Sequence, residues 1–399
     1  MAELNGKRLV LGVTGGIAAY KAAELARRFV KDGAEVHAVL TQSGAQFVTP
    51  VTFQALTGRL AWCDQWDARM PDNMAHIELS RAADAVVVAP ASADFLAKLA
   101  HGLADDLLST LCLARDCPLI VAPAMNRQMW ENPATQRNIS QLVRDGVIVL
   151  GPASGEQACG ETGMGRMLEA AQLHDAVVGF FQPKVLAGRR VMITAGPTFE
   201  ALDAVRGLTN ASSGKMGFAL ARAARDAGAE VTMVCGPVAQ PTPAGVARID
   251  VTSALEMHAA VMQHVDACDI FIGVAAVADY RPAEPVLEKI KKEYKPMQIT
   301  LAPNPDILAD VAGRPDAPFC VGFAAESREL EKYAEGKRQR KKLALVVGNL
   351  VKDGLGGDSN TVILLDDQGR HPLGPAPKIE IARGIVTRIG QMLVGNGGQ

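Results

Sequence analysis

A glycine turn in the first half of this 399-residue sequence has the composition of an anion site. The turn is GVTGGIAAYK at 12–21, where Gly15 and Gly16 let a ligand approach the backbone closely. A helix that begins there offers free N–H groups and a positive dipole end to a phosphate. Because the spacing departs from GxGxxG, one phosphate of a mononucleotide is favoured over a dinucleotide. Thr41 and Ser43, after the next predicted strand, supply hydroxyl donors.

Hydroxyl and amide side chains follow two further predicted strands. Ser92 comes directly after one apolar run, and Ser109 and Thr110 follow one helix later. Asn126 follows another apolar run, where its amide could hydrogen-bond a ligand carboxylate. Helix capping is an alternative role for Ser92 and Asn126, and a glycine turn can have purely steric reasons.

A thiol and an imidazole complete the candidate set of the first half. Cys159 lies in the stretch 151–167, whose five glycines predict a long loop that moves or closes over a ligand. His76 lies in the segment 73–79, where we predict the edge between a loop and a strand. The alternatives are a structural thiol and a structural histidine, the latter being the commoner role of a lone histidine.

The second half repeats the glycine-turn device. Ser212, Ser213 and Gly214 precede a helix predicted to begin near Lys215, with the amide of Asn210 just before them. This arrangement predicts a second anion cradle. Turn and cap formation is the alternative.

Charged residues near other predicted strand ends favour a phosphate-rich ligand. Lys289, Lys337 and Lys341 lie in two basic runs and could neutralise a triphosphate, although a charge run is usually a solvated helix face. Asp279, predicted to end a strand, could hold Mg²⁺ or a substrate group. The sequence contains no GxxxxGK[ST] motif, which excludes a P-loop enzyme.

Apolar strands that alternate with alanine-rich helices must position these residues. The strand candidates are apolar nearly throughout, as in a parallel sheet that is buried on both faces. They lie at 9–13, 35–40, 85–90, 118–124 and 147–150, and again at 191–196, 229–236, 269–279, 319–325 and 343–349. This order predicts an α/β fold of two doubly wound, Rossmann-like domains. The pattern pauses at 180–190, so we predict domains at 1–186 and 187–399.

Composition excludes several classes of protein. The 41 basic and 43 acidic residues leave a net charge of -2, so no overall field draws the chain to nucleic acid or an anionic membrane. We find no apolar run of the ~18 residues that a membrane helix needs, and no signal peptide. The seven cysteines are widely spaced without a CxxC pair, which predicts free thiols in the cytoplasm.

The first half resembles the flavin-containing cysteine decarboxylases, specifically those that act on 4′-phosphopantothenoylcysteine. The resemblance spans nearly all of 1–182 and rests on GGIAAYK (15–21), His76, PAMNRQMW (123–130) and ACGETGMGRM (158–167). It implies a flavodoxin-like flavoprotein domain in a homo-oligomer built on trimers, up to a dodecamer, with FMN at subunit contacts. The FMN-binding residues that we expect are Gly15, Gly16, Thr41, Ser92, Ser109 and Thr110.

The resemblance also implies a mechanism for the first half. In the family, FMN oxidises the cysteine thiol to a thioaldehyde, which provides the electron sink that loss of CO₂ requires. The resulting enethiolate is then reduced and protonated to 4′-phosphopantetheine. By similarity, His76 assists oxidation and decarboxylation, Asn126 binds the carboxylate and Cys159 donates the proton.

The second half, about 190–399, resembles phosphopantothenate–cysteine ligase. The matching segments are SSGKMG, AAVADYR, KIKK, NPDIL and GFAAE, which occur in the family's order. The resemblance implies that the carboxylate of 4′-phosphopantothenate attacks the α-phosphate of CTP with Mg²⁺, releasing pyrophosphate, and that the amine of L-cysteine then displaces CMP from the acyl-cytidylate. It assigns Asn210 and Lys289 to the acyl-cytidylate. The implied CTP contacts are Gly273, Val274, Ala275, Asp279, Lys289, Asn304, Pro305, Asp306, Ile307, Phe323, Lys337 and Lys341.

Together the two halves resemble the bifunctional enzymes of bacterial coenzyme A biosynthesis. Three other functions compete with this interpretation. A prenyl-transferring flavoprotein of the same fold would need neither PxMNxxMW nor a ligase half. A regulatory flavoprotein could dispense with one of His76, Asn126 and Cys159, but all three are present. An NAD-dependent dehydrogenase is disfavoured by the missing fingerprint.

Overall fold

The computed structural model describes residues 2–67, 69, 74–291, 296–354 and 356–396. The chain divides into two compact units, Met1–Phe181 and Gln182–Gln399. The predicted α/β class with two doubly wound domains is confirmed. No helix among the described residues is both long enough and apolar enough to cross a lipid bilayer.

The first unit is built on a five-stranded parallel sheet and a separate β-hairpin. Its strands are β1 (Arg8–Val13), β2 (Glu35–Leu40), β3 (Ala85–Ala91), β4 (Leu119–Pro123), β5 (Ile148–Val149), β6 (Ala153–Glu156) and β7 (Thr162–Arg166). Its helices are α1 (Ala19–Lys31), α2 (Pro50–Thr57), α3 (Ala75–Arg81), α4 (Ala93–His101), α5 (Leu107–Ala114), α6 (Arg127–Glu131), α7 (Pro133–Arg144) and α8 (Ala170–Phe181). The sheet order β2-β1-β3-β4-β5 is that of flavodoxin-like folds, which bind ligands where the order reverses, between β1 and β3.

Both faces of this sheet are buried, which explains why its strands are apolar throughout. Leu9 and Leu11 pack into the core on one face, and Val10 packs into the core on the other. Val86 and Val88 are fully buried, each burial being worth roughly 1.5–3 kcal/mol. The alternation fixes the register and so brings the carboxyl ends of β1 and β3 together.

The second unit has an eight-stranded mixed sheet. The strands of that sheet are β8 (Arg190–Ala195), β11 (Glu230–Cys235), β12 (Val246–Asp250), β13 (Ile270–Gly273), β16 (Phe319–Glu326), β17 (Leu345–Leu350), β18 (Ser359–Asp366) and β19 (Gly369–Pro377). Two separate two-stranded sheets are formed by β9 (Phe199–Ala201) with β10 (Gly207–Thr209) and by β14 (Tyr280–Pro282) with β15 (Leu301–Pro303). Its helices are α9 (Lys215–Asp226), α10 (Ala254–His264), α11 (Ile307–Ala312), α12 (Leu330–Arg340), α13 (Val351–Gly354) and α14 (Lys378–Asn396). The sheet order β12-β11-β8-β13-β16-β17 is the Rossmann order, and β18 and β19 extend it antiparallel. Its order reverses between β8 and β13.

Three local predictions are wrong. The predicted loop–strand edge at 73–79 is a helix over its described part, because Ala75 and Leu79 lie four residues apart on the buried face of α3. Asn73 lies outside the described residues. The stretch 151–167 is not a plain loop, because β6 and β7 pair within it as a hairpin. The run 269–279 is not one strand, because β13 ends at Gly273 and Asp279 lies in the following loop.

Candidate active sites

An open cleft of about 600 Å³ lies at the switch point of the first sheet, and we call it the β1/β3 cleft. The predicted residues that line it are Gly15, Gly16, Ser92, Asn126 and Cys159. Ile17, Tyr20, Lys21, Met125, Met129, Gln157 and Arg166 also line it. The structure therefore brings the glycine turn, the amide and the thiol together in one cleft.

The glycine turn is shaped for close approach of a ligand. A Cβ atom on Gly15 would lie 2.6 Å from the Cβ atom of Ser43, so no side chain fits there, whereas Gly16 faces open space. Helix α1 follows with Ala18 at its N-cap, without a side-chain cap bond and without an acidic residue in its first turn. Its first N–H groups and the positive end of its dipole are therefore available to a phosphate.

Ser92 is held at the edge of the cleft by Thr14. The Thr14 hydroxyl donates to the carbonyl of Pro90 at 2.8 Å and accepts from the Ser92 amide at 2.9 Å. These bonds join the carboxyl ends of β1 and β3. Ser92 also caps α4, because its Oγ atom accepts from the Phe95 amide at 3.2 Å. Ser92 therefore both caps a helix and lines the cleft.

Asn126 likewise combines capping with a place in the cleft. Its Oδ1 atom accepts from the amide of Met129 at 3.0 Å and caps α6, while its Nδ2 atom donates to Gln128 Oε1 at 2.8 Å. Met129 is 48% exposed and is therefore not a core residue. The amide is thus held at the mouth of the cleft beside an apolar wall.

The β6–β7 hairpin carries Cys159 to the same cleft, and two glycines let it dock. The carbonyl of Gly165 accepts from the amide of Met125 at 3.0 Å, and a Cβ atom on Gly165 would lie 2.4 Å from the Met125 oxygen. A Cβ atom on Gly163 would clash with the side chain of Arg127. The hairpin therefore lies against the start of α6, with the exposed Cys159 in its turn.

Lys21 is the buried cation of this cleft, and its charge is compensated. It is 4% exposed, and its Nζ atom donates to the carbonyl of Met167 at 3.1 Å and to Glu169 Oε1 at 2.9 Å. The hydrogen bond from Lys21 lowers the pKa of Glu169 below its usual value, with further help from Arg166. Lys21 thus joins α1 to the segment that follows the hairpin.

Five predicted residues do not line the β1/β3 cleft, namely Thr41, Ser43, His76, Ser109 and Thr110. Thr41 is buried, and its Oγ1 atom accepts from the amide of Gly44 at 3.0 Å. Ser109 is buried in a capping box with Asp106, and the Oγ1 atom of Thr110 donates to the carbonyl of Asp106 at 2.7 Å. His76 is half-buried on α3, which packs against α5. Their roles in flavin binding and catalysis stay predictions.

A second cleft, of about 290 Å³, lies at the switch point of the second sheet, and we call it the β8/β13 cleft. Most of the predicted CTP contacts line it: Gly273, Ala275, Asp279, Asn304, Pro305, Asp306, Ile307, Phe323, Lys337 and Lys341. The sequence analysis did not single out Thr194 and Leu308, which line it as well.

The cations of this cleft are fixed by hydrogen bonds. Lys341 Nζ lies 2.5 Å from Asp306 Oδ2, and Lys337 donates to the carbonyl of Phe323 at 2.6 Å. Burial opposes ionisation of Asp306, but the hydrogen bond from Lys341 and the bond from the Ala309 amide outweigh it and keep its pKa below the usual value. Burial lowers the pKa of Lys337, with Lys341 adding to the effect.

Asn304 holds the loop that carries Asp279. Its backbone amide donates to the carbonyl of Asp279 at 2.8 Å, and its side chain donates to the carbonyl of Ala278 at 2.8 Å. The carboxylate of Asp279 remains exposed at the cleft. Among the described residues no three His, Cys, Asp or Glu side chains form a metal cage. Mg²⁺ is usually coordinated by one or two carboxylates together with substrate phosphates, and the single carboxylate of Asp279 is compatible with such a site.

A smaller depression of about 60 Å³ lies at the start of α9. Ser212, Ser213, Gly214 and Val274 line it, and α9 begins at Lys215 as predicted, without a side-chain cap bond. Lys378 lines it too, and burial lowers the pKa of its ammonium group. No local sequence pattern could have placed Lys378 here, because it arrives on α14 from the far end of the chain.

Asn210 and Lys289 line neither the β8/β13 cleft nor the depression at the start of α9. Asn210 donates from Nδ2 to the carbonyl of Ala276 at 2.8 Å, which ties it to the loop after β13. Lys289 is exposed, and the neighbouring Ile290 is tethered: Asp203 Oδ2 accepts from its amide at 3.2 Å, and Arg206 donates to its carbonyl at 2.9 Å.

Comparison with known proteins decides the family. A family described as Flavoprotein matches residues 1–182, and the DNA/pantothenate metabolism flavoprotein C-terminal domain matches residues 186–393. The coenzyme A biosynthesis bifunctional protein CoaBC of Vibrio cholerae is 49% identical, covering 98% of this chain and 100% of its own length. The protein of the same name from Escherichia coli is 48% identical and covers 92% of each chain.

The chain belongs to the family of coenzyme A biosynthesis bifunctional proteins. The resemblance that its motifs indicate is confirmed, and the chain is a bifunctional enzyme. Among solved structures, the C-terminal domain of a CoaBC protein is 39% identical over 53% of this chain and 99% of that one, with a TM-score of 0.47. A PPC decarboxylase mutant complexed with pantothenoylaminoethenethiol is 37% identical over 43% and 96%, with a TM-score of 0.40.

Within this family framework, the β1/β3 cleft belongs to the flavoprotein domain. Among the lining residues that were not predicted are Tyr20, Lys21 and Gln157. The first two stand in the GGIAAYK motif, where their place in the first turn of α1 was the available signal. Gln157 had no such signal, because its contacts depend on how the hairpin docks.

Proposed function

We propose that this chain catalyses two successive steps of coenzyme A biosynthesis. The domain 187–399 joins 4′-phosphopantothenate to L-cysteine at the expense of CTP, and the domain 1–186 decarboxylates the product to 4′-phosphopantetheine. The observation that carries the proposal is the placement of two different sets of side chains at the switch points of two sheets.

The β1/β3 cleft fits FMN. Its volume lies within the range of cofactor sites, its walls are largely apolar, and the uncapped start of α1 faces it beside Gly16. When bound there, the flavin supplies a two-electron acceptor for the substrate thiol. Gly15, Gly16 and Ser92 would hold it.

Asn126 and Cys159 act on the substrate in the same cleft. The Asn126 side chain offers a neutral amide donor to the cysteine carboxylate, and its cap bond to α6 keeps it in place. Met125 and Met129 exclude water from the carboxylate side, which favours loss of a charged group as neutral CO₂. Cys159, carried on the hairpin, donates the proton that the enethiolate carbon requires.

A second subunit completes the flavin site. His76 and Thr110 lie on α3 and α5, outside the cleft of their own chain, although the family resemblance assigns them to flavin chemistry. Ile17 and Tyr20 are each 61% exposed at the mouth of the cleft, where large apolar side chains favour burial by a partner. A homo-oligomer that brings α3 of one subunit to the cleft of another satisfies both observations.

The β8/β13 cleft binds CTP. Lys337 and Lys341 face the same space and would offset phosphate charge, while exposed Asp279 would hold Mg²⁺ between protein and phosphates. Val274, which lines the depression at α9 rather than the cleft, would extend the nucleotide contacts to that uncapped helix start. Lys289 and Asn210 then act on the acyl-cytidylate when substrate is present.

A product analysis tests the proposal. Protein is incubated with 4′-phosphopantothenate, L-cysteine, CTP and Mg²⁺, and the products are followed by mass. We expect phosphopantothenoylcysteine and then 4′-phosphopantetheine, with no ligation when CTP is omitted. Preformed phosphopantothenoylcysteine should bypass that omission. A yellow protein that releases FMN on denaturation excludes a dehydrogenase, and absence of CO₂ release from phosphopantothenoylcysteine would favour a regulatory flavoprotein.

A further inference from the structure

Gln157 connects three parts of the β1/β3 cleft through one side chain. Its Oε1 atom accepts from the backbone amide of Arg127 at 3.0 Å and lies 3.9 Å from Cys159 Sγ. Its Nε2 atom donates to the carbonyls of Gly163 at 3.4 Å and Met164 at 3.1 Å. One side chain therefore contacts the start of α6, the second strand of the hairpin and the thiol.

The bond to Arg127 meets a specific need of α6. Arg127 is the first residue of that helix, so its amide has no partner within the helix. Asn126 caps the helix by accepting from the Met129 amide, and Gln157 accepts from the amide of Arg127. The element that carries Asn126 and the hairpin that carries Cys159 are thus held at a fixed separation.

The thiol of Cys159 depends on Gln157 because the hairpin turn provides little packing. Cys159 is exposed, and the following Gly160 adopts a φ of 82° in the turn. A cysteine side chain in such a turn can rotate freely, and a hydrogen bond from S–H to Gln157 Oε1 selects one direction.

We propose that Gln157 is a positioning residue that orients the Cys159 thiol toward the substrate held by Asn126. The inference rests on the proposed role of Cys159 as proton donor. It requires that loss of Gln157 slow protonation more than loss of CO₂, because Asn126 keeps its own cap bond without Gln157. A misplacement of about 1 Å can cost on the order of 10²-fold in rate.

The test compares Gln157→Leu with the parent in anaerobic single turnover of preformed phosphopantothenoylcysteine. We expect CO₂ release within about threefold of the parent and saturated product about 10–100-fold slower. The unsaturated product, two hydrogens lighter than 4′-phosphopantetheine, should accumulate. Gln157→Glu keeps an oxygen acceptor for the Arg127 amide and should fall between the two. Gln141→Leu is the matched control, since the Gln141 side chain donates to Asp145 at the end of α7, outside the β1/β3 cleft.

Hydrogen exchange supplies a readout that does not depend on turnover. The Arg127 amide should exchange faster in Gln157→Leu than in the parent, and at the parent rate in Gln141→Leu. An equal slowing of CO₂ release and of saturated product would overturn the inference, since a structural defect affects both steps. The inference would also be overturned if Gln157→Leu gave unsaturated and saturated product in the same ratio as the parent.

Cys159→Ser, assayed in parallel, separates this inference from the proposed function. If Cys159→Ser accumulates the unsaturated product while Gln157→Leu behaves as the parent, only the role of Gln157 fails. If Cys159→Ser yields saturated product at the parent rate, Cys159 is not the proton donor and the inference about Gln157 fails with it.

Discussion

The β1/β3 and β8/β13 clefts occupy the same place in their domains but differ in how their walls treat charge. In the first cleft the buried cation Lys21 is paired with Glu169, and the neutral side chains of Ser92 and Asn126 line the cleft together with Arg166. In the second, Lys337 and Lys341 line the cleft beside Asp306. Under the proposed function, the same sheet edge would serve recognition of one carboxylate by the neutral amide of Asn126 in one domain and compensation of several phosphate charges in the other.

This difference shows that the topological switch point of a sheet determines where a cleft forms, whereas the side chains that line the cleft determine its charge and its hydrogen-bonding groups. Helix α1 at the first cleft and helix α9 at the separate small depression begin without a side-chain cap, whereas α4, α6 and α11 are capped by Ser92, Asn126 and Asp306. Changing a charge in either cleft should consequently affect one activity and spare the other.

The largest effect is expected from Asn126→Asp. A carboxylate at this site repels the carboxylate of the substrate, so decarboxylation should be abolished while CMP release by the ligase is unchanged. Asp is as good an N-cap as Asn, so α6 should persist. Asn132→Asp makes the same change at the cap of α7, outside the cleft, and should retain decarboxylation. A fully active Asn126→Asp variant would remove Asn126 from the carboxylate site.

Lys289→Gln tests a cation of the second domain that lies outside the β8/β13 cleft and that the proposed function assigns to the acyl-cytidylate. A neutral amide cannot offset the charge that develops at the α-phosphate and acyl oxygen, so ligation should fall about 10²–10³-fold. Decarboxylation of preformed phosphopantothenoylcysteine should continue at the parent rate. Lys291→Gln, two residues along the same exposed run, should leave ligation unchanged. Equal CMP release from both variants would mean that Lys289 is only part of a solvated basic run.

Cys159→Ser should change the product of the first domain rather than stop its reaction. Loss of CO₂ precedes protonation, and a serine hydroxyl is far less acidic than a thiol. Mass analysis after anaerobic single turnover should find the unsaturated product, two hydrogens lighter than 4′-phosphopantetheine, with the flavin left reduced. Cys117→Ser, which alters a half-buried thiol outside the cleft, should give saturated product.

The smallest effect concerns the pH dependence of the second domain. The pKa of Asp306 lies below its usual 3.8, because the bonds from Lys341 and the Ala309 amide outweigh burial. A depressed carboxyl pKa contributes stability above pH 3.8, and that stability is lost as the pH falls through the folded-state value. Asp306→Asn keeps the helix cap but should lower the unfolding free energy at neutral pH by about 0.2–1 kcal/mol and flatten its acid dependence.

Denaturant unfolding followed by circular dichroism at several pH values measures this effect. Lys341→Gln should flatten the same acid limb, and the double variant should add little, since both changes remove one ion pair. An unaltered acid limb in Asp306→Asn would assign the pH dependence to other carboxylates.

Much of the fold and most of the second cleft could be predicted from the sequence. Strands that are buried on both faces must be apolar throughout, so the runs at β1, β3, β8 and β16 are visible without coordinates. The glycine turns and the residues directly after a strand follow from the same pattern, because parallel strands bring their carboxyl ends to one edge. Gly16, Ser92 and Asn126 were found in this way, whereas Gly273 was given only by the family resemblance.

Contacts between segments far apart in sequence were decided by the tertiary structure alone. The docking of the β6–β7 hairpin on α6 depends on Gly165 meeting Met125, so neither the place of Cys159 nor the contacts of Gln157 can be read from local pattern. His76 followed a pattern that suits a strand as well as one turn of helix, and packing of Ala75 and Leu79 selected the helix. Periodicity reports which face of a segment is buried, but the partner that buries it is chosen by the whole fold.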